Sequence, residues 1–191
     1  GAVLNASVSQ DNFLGTGKRV SFSFNNSSVN RIYSFGYSNP YYTIDGVSRG
    51  FNVFYRKTDA AEANLSNYDI DRYGADVTYG IPLSEFSTLR AGLGIENTKV
   101  KTNAGTPLRI FAILAEQGSD EFLNFESRLS WSYDTRNRAV FADRGMLNRV
   151  STEIALPGSD WEYYKVTLRH QSYLPLIKDW TFSLGGEVGV G

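Results

Sequence analysis

One histidine, no cysteine and twenty carboxylates bound the chemistry open to this chain of 191 residues. His170 stands alone, so neither a serine–histidine nucleophile pair nor a histidine-rich metal site can be assembled around it. No Gly-x-Ser-x-Gly elbow presents an activated serine. The turn Leu14-Gly15-Thr16-Gly17-Lys18 looks like a phosphate loop only in its glycines, because the Gly-Lys-Ser/Thr pattern and the helix that should follow are missing. Glu96, Glu126, Asp134, Glu153 and Glu187 could pair as acid and base, but Arg72, Arg90, Arg128, Arg149 and Arg169 occur in the same segments. Mutual ion pairing is then the plainer expectation, and the chain reads as a non-enzyme with no cofactor and no metal.

Charge points nowhere in particular: 19 Lys and Arg against 20 Asp and Glu leave a net charge of −1, and no block of like charge offers a nucleic-acid site. Nucleic acid is therefore not an expected partner. The longest apolar run, Ile110 to Ala115, is far short of the ~20 residues of a membrane-spanning helix. The N-terminal residues show no basic region with an apolar core, so no signal peptide is expected in them. Twelve Tyr, twelve Phe and eighteen Gly beside one Met favour strands and turns over helices.

Period-2 alternation recurs along the whole chain. Residues 2–11 place Ala2, Leu4, Ala6 and Val8 on one face, and the next two runs do the same with Val20, Phe22, Phe24 and with Tyr33, Phe35, Tyr37. Further runs align Val47, Phe51, Val53, Tyr55, then Tyr73, Ala75, Val77, Tyr79, Ile81, with a polar loop at 59–69 between them. Leu89, Ala91, Leu93, Ile95 form the cleanest run, followed by Leu123, Phe125, Leu129, Trp131, Tyr133 and by Val150, Thr152, Ile154, Leu156. Residues 161–174 and 180–190 complete about ten strands, and His170 shares parity with Tyr164, Val166 and Leu168. Within Lys99–Asp120, Pro107 and Gly118 punctuate an apolar stretch as a short helix in a long loop.

Strands of this kind fit either a soluble barrel with apolar residues inside or a membrane barrel with them outside. The polar faces decide, since they hold Gly and Ser with scattered charge rather than the Lys, Glu and Thr of a water-exposed sheet. Runs of about nine to twelve residues also match a tilted membrane-crossing strand. Aromatics near the strand ends, namely Phe13, Tyr41, Tyr42, Phe86, Phe141, Trp161, Tyr163, Tyr173 and Trp180, suggest interfacial girdles. The expected interface set is Phe13, Tyr41, Tyr42, Phe86, Tyr163, Tyr173 and Trp180, and the expected lumen-facing charges are Arg72, Asp76, Arg90, Glu96, Glu126, Arg128, Glu153 and Arg169. The fold class is all-β: part of a transmembrane antiparallel up-and-down barrel with one short helix in an external loop.

Local strings add a resemblance. Asp11-Asn12-Phe13-Leu14-Gly15-Thr16-Gly17, Ser38-Asn39-Pro40-Tyr41-Tyr42-Thr43-Ile44-Asp45-Gly46-Val47-Ser48 and Ser87-Thr88-Leu89-Arg90-Ala91-Gly92-Leu93-Gly94 form its first half. Trp131-Ser132-Tyr133-Asp134 leading to Arg144-Gly145, and Pro157-Gly158-Ser159-Asp160 with Glu162-Tyr163-Tyr164-Lys165-Val166-Thr167-Leu168, form the second. In order and spacing, over nearly the whole chain, these resemble the barrel strands of the BamA family of outer-membrane protein assembly factors. The loop 99–120 and the connection 135–146 depart in detail, which leaves the sister translocation and assembly family, TamA, as an alternative.

The resemblance implies a sixteen-stranded barrel in the bacterial outer membrane, preceded by periplasmic POTRA domains and working without cofactor or covalent chemistry. Matched strand by strand, residues 1–191 correspond to the second through eleventh strands, without the POTRA region, the first and last strands, or the inward Arg-Gly-Phe loop. Implied partners are outer-membrane lipid and lipopolysaccharide, unfolded β-barrel clients, and accessory lipoproteins held through the POTRA domains. The implied function is insertion of client barrels. A passive pore or two-partner secretion barrel, and a soluble ligand-binding barrel, are the other classes that such strands allow.

Overall fold

The computed structural model describes residues 3–59, 68–103, 105–178 and 180–191. Ten strands follow in chain order: β1 Leu4–Gln10, β2 Arg19–Asn26, β3 Asn30–Asn39, β4 Ser48–Asp59, β5 Tyr68–Pro82, β6 Ser87–Thr102, β7 Glu121–Asp134, β8 Gly145–Ala155, β9 Tyr164–Ile177 and β10 Trp180–Val190. They form one antiparallel sheet in which each strand pairs only with its sequence neighbours. Such a meander needs no crossover, so short links suffice. Among the described residues β1 and β10 do not pair with each other, and the sheet stays open.

The expected runs and the observed strands agree in number and parity, and differ in extent. Strands range from 7 residues in β1 to 16 in β6, wider than the expected spread. β9 starts at Tyr164 rather than 161, because the segment after β8 folds back across the sheet: Asp160 N–H donates to the Leu123 carbonyl at 2.9 Å. β8 starts at Gly145, which shortens the connection before it to 135–144. Of the polar loop expected at 59–69, Asp59 ends β4 and Tyr68 and Asp69 begin β5, while residues 60–67, like Ala2, lie outside the described residues.

The two faces stay separate across the sheet. One cross-strand row reads Val8, Phe22, Phe35, Val53, Ala75, Ile95, Phe125, and another reads Ile81, Leu89, Trp131, Val150, Leu168, Val188. Side chains on this apolar face are exposed; Leu93, Leu129 and Leu168 are each about half uncovered. Most buried strand residues, among them Phe122, Leu147, Thr98, Asn124, Glu126 and Ser132, lie on the opposite, polar face, whereas Asp71, paired with Lys101, shares the parity of Tyr73. A sheet curled toward its polar side produces this difference, because side chains converge on the concave surface and spread on the convex one. An exposed apolar surface of this extent marks a contact with an apolar partner or with hydrocarbon.

The helix α1, Leu108–Gln117, lies in the β6–β7 connection between the expected punctuation marks. Pro107 precedes its first turn, and Gly118 adopts φ 67° at its end, where the Gly118 N–H donates to the Leu114 carbonyl at 2.9 Å. A glycine takes this left-handed cap without a Cβ penalty. Leu108 and Phe111 project into the surroundings rather than onto the sheet.

Gly74, inside β5, is demanded by space. A Cβ on Gly74 would press on the Ile95 carbonyl oxygen and stand 3.0 Å from the ring of Phe54, its cross-strand partner on the polar face. In the full-length protein, Gly74→Val is expected to cost about 1–3 kcal/mol through this overpacking. The readout is the temperature at which the folded band is lost in semi-native electrophoresis. Gly94→Ala, whose added carbon meets nothing nearer than 3.6 Å, should stay within about 0.5 kcal/mol of the parent.

Candidate functional site

Register places Arg72, Asp76, Arg90, Glu96, Glu126, Arg128, Glu153 and Arg169 on one side of β5 to β9. They separate into local contacts. Arg72 faces Glu96 at 4.0 Å, and Asp76 accepts a hydrogen bond from Asn52 Nδ2 at 3.1 Å. Arg90 and Arg169 enter no ion pair among the described residues.

The tightest group is Glu126, Arg128, Glu153 and Tyr163. Arg128 on β7 forms ion pairs with Glu126 on its own strand and with Glu153 on β8, the latter at 3.3 Å. Above them the connection 156–163 crosses the polar face, setting Trp161 at a tilt against Phe122 with centroids 4.9 Å apart. The same crossing lets Trp161 N–H donate to Asn124 Oδ1 at 3.1 Å. It also brings the Tyr163 hydroxyl 2.8 Å from Glu126 and 3.2 Å from Glu153. Burial, then the hydrogen bond to Glu126 and the neighbouring negative charges, push the Tyr163 pKa well above the usual phenol value, so the hydroxyl remains a donor. Beside this group a cavity of about 280 Å³ is lined by Arg90, Arg128, Ser130, Ser151, Glu153 and Lys165.

The aromatic set divides. On the apolar side, Tyr42 lies edge-on to Tyr79 with 6.1 Å between centroids and carries the Arg49 guanidinium 3.9 Å above its ring. Phe86 meets Tyr133 edge-on at 6.4 Å. Phe13 sits in the single turn Phe13–Gly15, Tyr41 projects from the β3–β4 connection, and Trp180 opens β10 with its side chain exposed. Two residues correct the expectation of interfacial rings. Tyr163 turns inward onto the two glutamates, and Tyr173 pairs with Gly145 and Ser183 on the polar face. Proximity to a strand end does not choose a face; parity does, and Tyr173 is odd where Tyr164, Val166 and Leu168 are even. The parity signal lay in the sequence, whereas the inward crossing at Trp161 and Tyr163 had none.

No group of three or more His, Asp or Glu converges as a metal site among the described residues. What the polar face offers is a preorganised water-facing lining of paired charge, and what the apolar face offers is a continuous non-polar band. An up-and-down sheet with that division is a section of a membrane β-barrel. The chain belongs to the Omp85 superfamily, whose domain matches residues 12–191. It is 32% identical over 199 aligned positions to the outer membrane protein assembly factor BamA of Neisseria meningitidis serogroup B, an alignment spanning 100% of this chain and 25% of that protein. It also superposes on the crystal structure of BamA from Haemophilus ducreyi lacking POTRA domains 1–3, with a TM-score of 0.82 and 28% identity, covering 99% of this chain and 38% of that one. The chain therefore spans about a quarter of the length of the curated relative it matches.

Tyr163→Phe deletes one hydroxyl that serves two glutamates, and should lower the barrel's stability by about 1–3 kcal/mol. Tyr164→Phe, on the exposed apolar face, should leave it unchanged within about 0.5 kcal/mol. Thermal loss of the folded electrophoretic band in the full-length protein compares the two.

Proposed function

We propose that this chain is part of the barrel of an outer-membrane insertase, which folds and inserts β-barrel proteins into the bacterial outer membrane. The observation that carries the reading is the full-chain likeness to the assembly factor BamA, in sequence and in barrel geometry together. Its work is non-enzymatic: no residue acts as nucleophile or general base, and the chemistry is exchange of backbone hydrogen bonds. The apolar face meets outer-membrane lipid and lipopolysaccharide, clients are unfolded β-barrel chains, and accessory lipoproteins engage through POTRA domains beyond this segment.

An unpaired strand edge is costly in hydrocarbon, because its N–H and C=O groups find no water there. A client strand that pairs with such an edge removes the cost on both sides, which is β-augmentation carried out inside a bilayer. If residues 1–191 correspond to the second through eleventh strands, the edges used for this lie outside them. The lining of paired charge around Arg128 then serves to hold a hydrated interior open beside the working edge.

Two measurements test the reading. Residues 1–191 alone should give a strand-rich single species by size exclusion and far-ultraviolet circular dichroism only with detergent; a compact monomer in plain buffer would mean that the apolar faces line a soluble core. In liposomes, the full-length protein should accelerate folding of a client barrel while residues 1–191 alone do not. Ion conductance by the full-length protein with no effect on client folding would favour a passive pore.

A further inference from the structure

On the apolar face a polar row crosses β7 to β10. Tyr133 of β7, Asn148 of β8, His170 of β9 and Gly186 of β10 are successive cross-strand partners on that face. His170 Nδ1 and Asn148 Oδ1 lie 2.6 Å apart, and among the described residues the Asn148 amide nitrogen donates further to the Met146 sulfur alone, at 3.4 Å. Beside them Gly186 leaves open space where a side chain would stand. The result is a notch of about 620 Å³ walled by Val150, Leu168, Leu184 and Val188. Tyr164 and Leu176 lie six residues to either side of His170 on β9, about 15 Å each way for a tilted strand at ~3.3 Å per residue. His170 is thus at the centre of β9, and an apolar band about 25 Å tall centred on that strand would hold it where lipid offers no polar group.

The hydrogen-bond inventory of this pair is informative because it does not depend on how the amide is oriented. If His170 Nδ1–H donates to the Asn148 oxygen, Nε2 is left as an acceptor and the amide nitrogen as a donor. If the amide is turned and donates to Nδ1, Nε2–H is left as a donor and the amide oxygen as an acceptor. Either way the pair leaves at least one N–H donor and one acceptor unmatched toward the hydrocarbon. Polar groups at this depth in a membrane protein are retained where something satisfies them.

We propose that the notch is a contact for a second copy of the protein in the plane of the membrane. A two-fold axis beside His170 sets donor against acceptor and acceptor against donor, which makes the couple self-complementary, as an isologous interface requires. The dent at Gly186 receives an apolar side chain of the facing copy, and the Leu168 side chains, two residues from each His170, come close across the axis. The proposal rests on the membrane-barrel reading, since only in hydrocarbon are the two groups left without water.

These residues contain no cysteine, so a single introduced cysteine, with any cysteine elsewhere in the full-length protein replaced, reports the contact cleanly. In native outer membranes treated with a lipid-soluble oxidant, Leu168→Cys should give a disulfide adduct of twice the protein's mass. Its yield should exceed that of Val53→Cys, on the same face of distant β4, by about tenfold, the scale of membrane hydrogen bonding. Asn148→Leu with His170→Leu should bring Leu168→Cys down to the Val53→Cys level, and His170→Gln beside intact Asn148 should restore it. Equal yields at 168 and 53, a yield that survives the two leucines, or an adduct with a different protein would each overturn the proposal. The leucines suit hydrocarbon better than the residues they replace, so the folded electrophoretic band should persist in every variant. Absence of that band from the parent protein would instead overturn the barrel reading, and this proposal with it.

Discussion

Backbone pairing is the constraint on which this structure depends. In hydrocarbon an unpaired N–H or C=O costs several kcal/mol, so a chain that crosses as strands must pair each one on both sides. A meander meets that demand in the simplest order, and β2 to β9 each have a neighbour on either side. Other features follow. Links as short as 27–29 and 83–86 keep neighbours in register, while the β6–β7 connection has room for a helix. Because the sheet needs no packed core to hold its strands together, the two most buried hydrophobic residues, Phe122 and Leu147, lie on the polar side, where the curl crowds them.

The same constraint explains why so much was legible in the sequence. A strand with lipid on one side and water on the other must alternate, and parity alone put Arg72, Asp76, Arg90, Glu96, Glu126, Arg128, Glu153 and Arg169 together on one face. The helix was legible for a different reason, since Pro107 and Gly118 are local signals that need no tertiary context. Strand ends were less so. Pairing continues past the last alternating residue wherever the neighbouring strand still offers a partner, which is how β6 reaches Thr102 opposite Tyr68.

What escaped the pattern was long-range. Glu126 and Glu153 are 27 positions apart, and no spacing rule says that one Arg128 lies between them or that Tyr163 bonds both. The inward fold of 156–163 is fixed by contacts to Leu123, Asn124 and Phe125, far off in sequence. Phe54 and Phe122 also sit against the pattern, apolar rings on the polar face, and each has a packing reason. Phe54 covers the bare backbone at Gly74, and Phe122 underlies Trp161. One departure thus marks a glycine on the paired strand, and the other the place where a third element has come to rest on the sheet.

These departures have a counterpart on the other face. Asn148 and His170 are polar residues in an apolar row just as Phe54 and Phe122 are apolar residues in polar ones. On the inner face Phe54 and Phe122 are each matched by something in this chain that touches them. On the outer face nothing in the described residues does, beyond the bond the pair makes with itself and the Met146 sulfur. The contact this couple lacks among the described residues is one that hydrocarbon cannot supply. The physics that makes the meander readable, the high cost of an unmatched polar group in lipid, is also what gives this one unmatched couple its meaning.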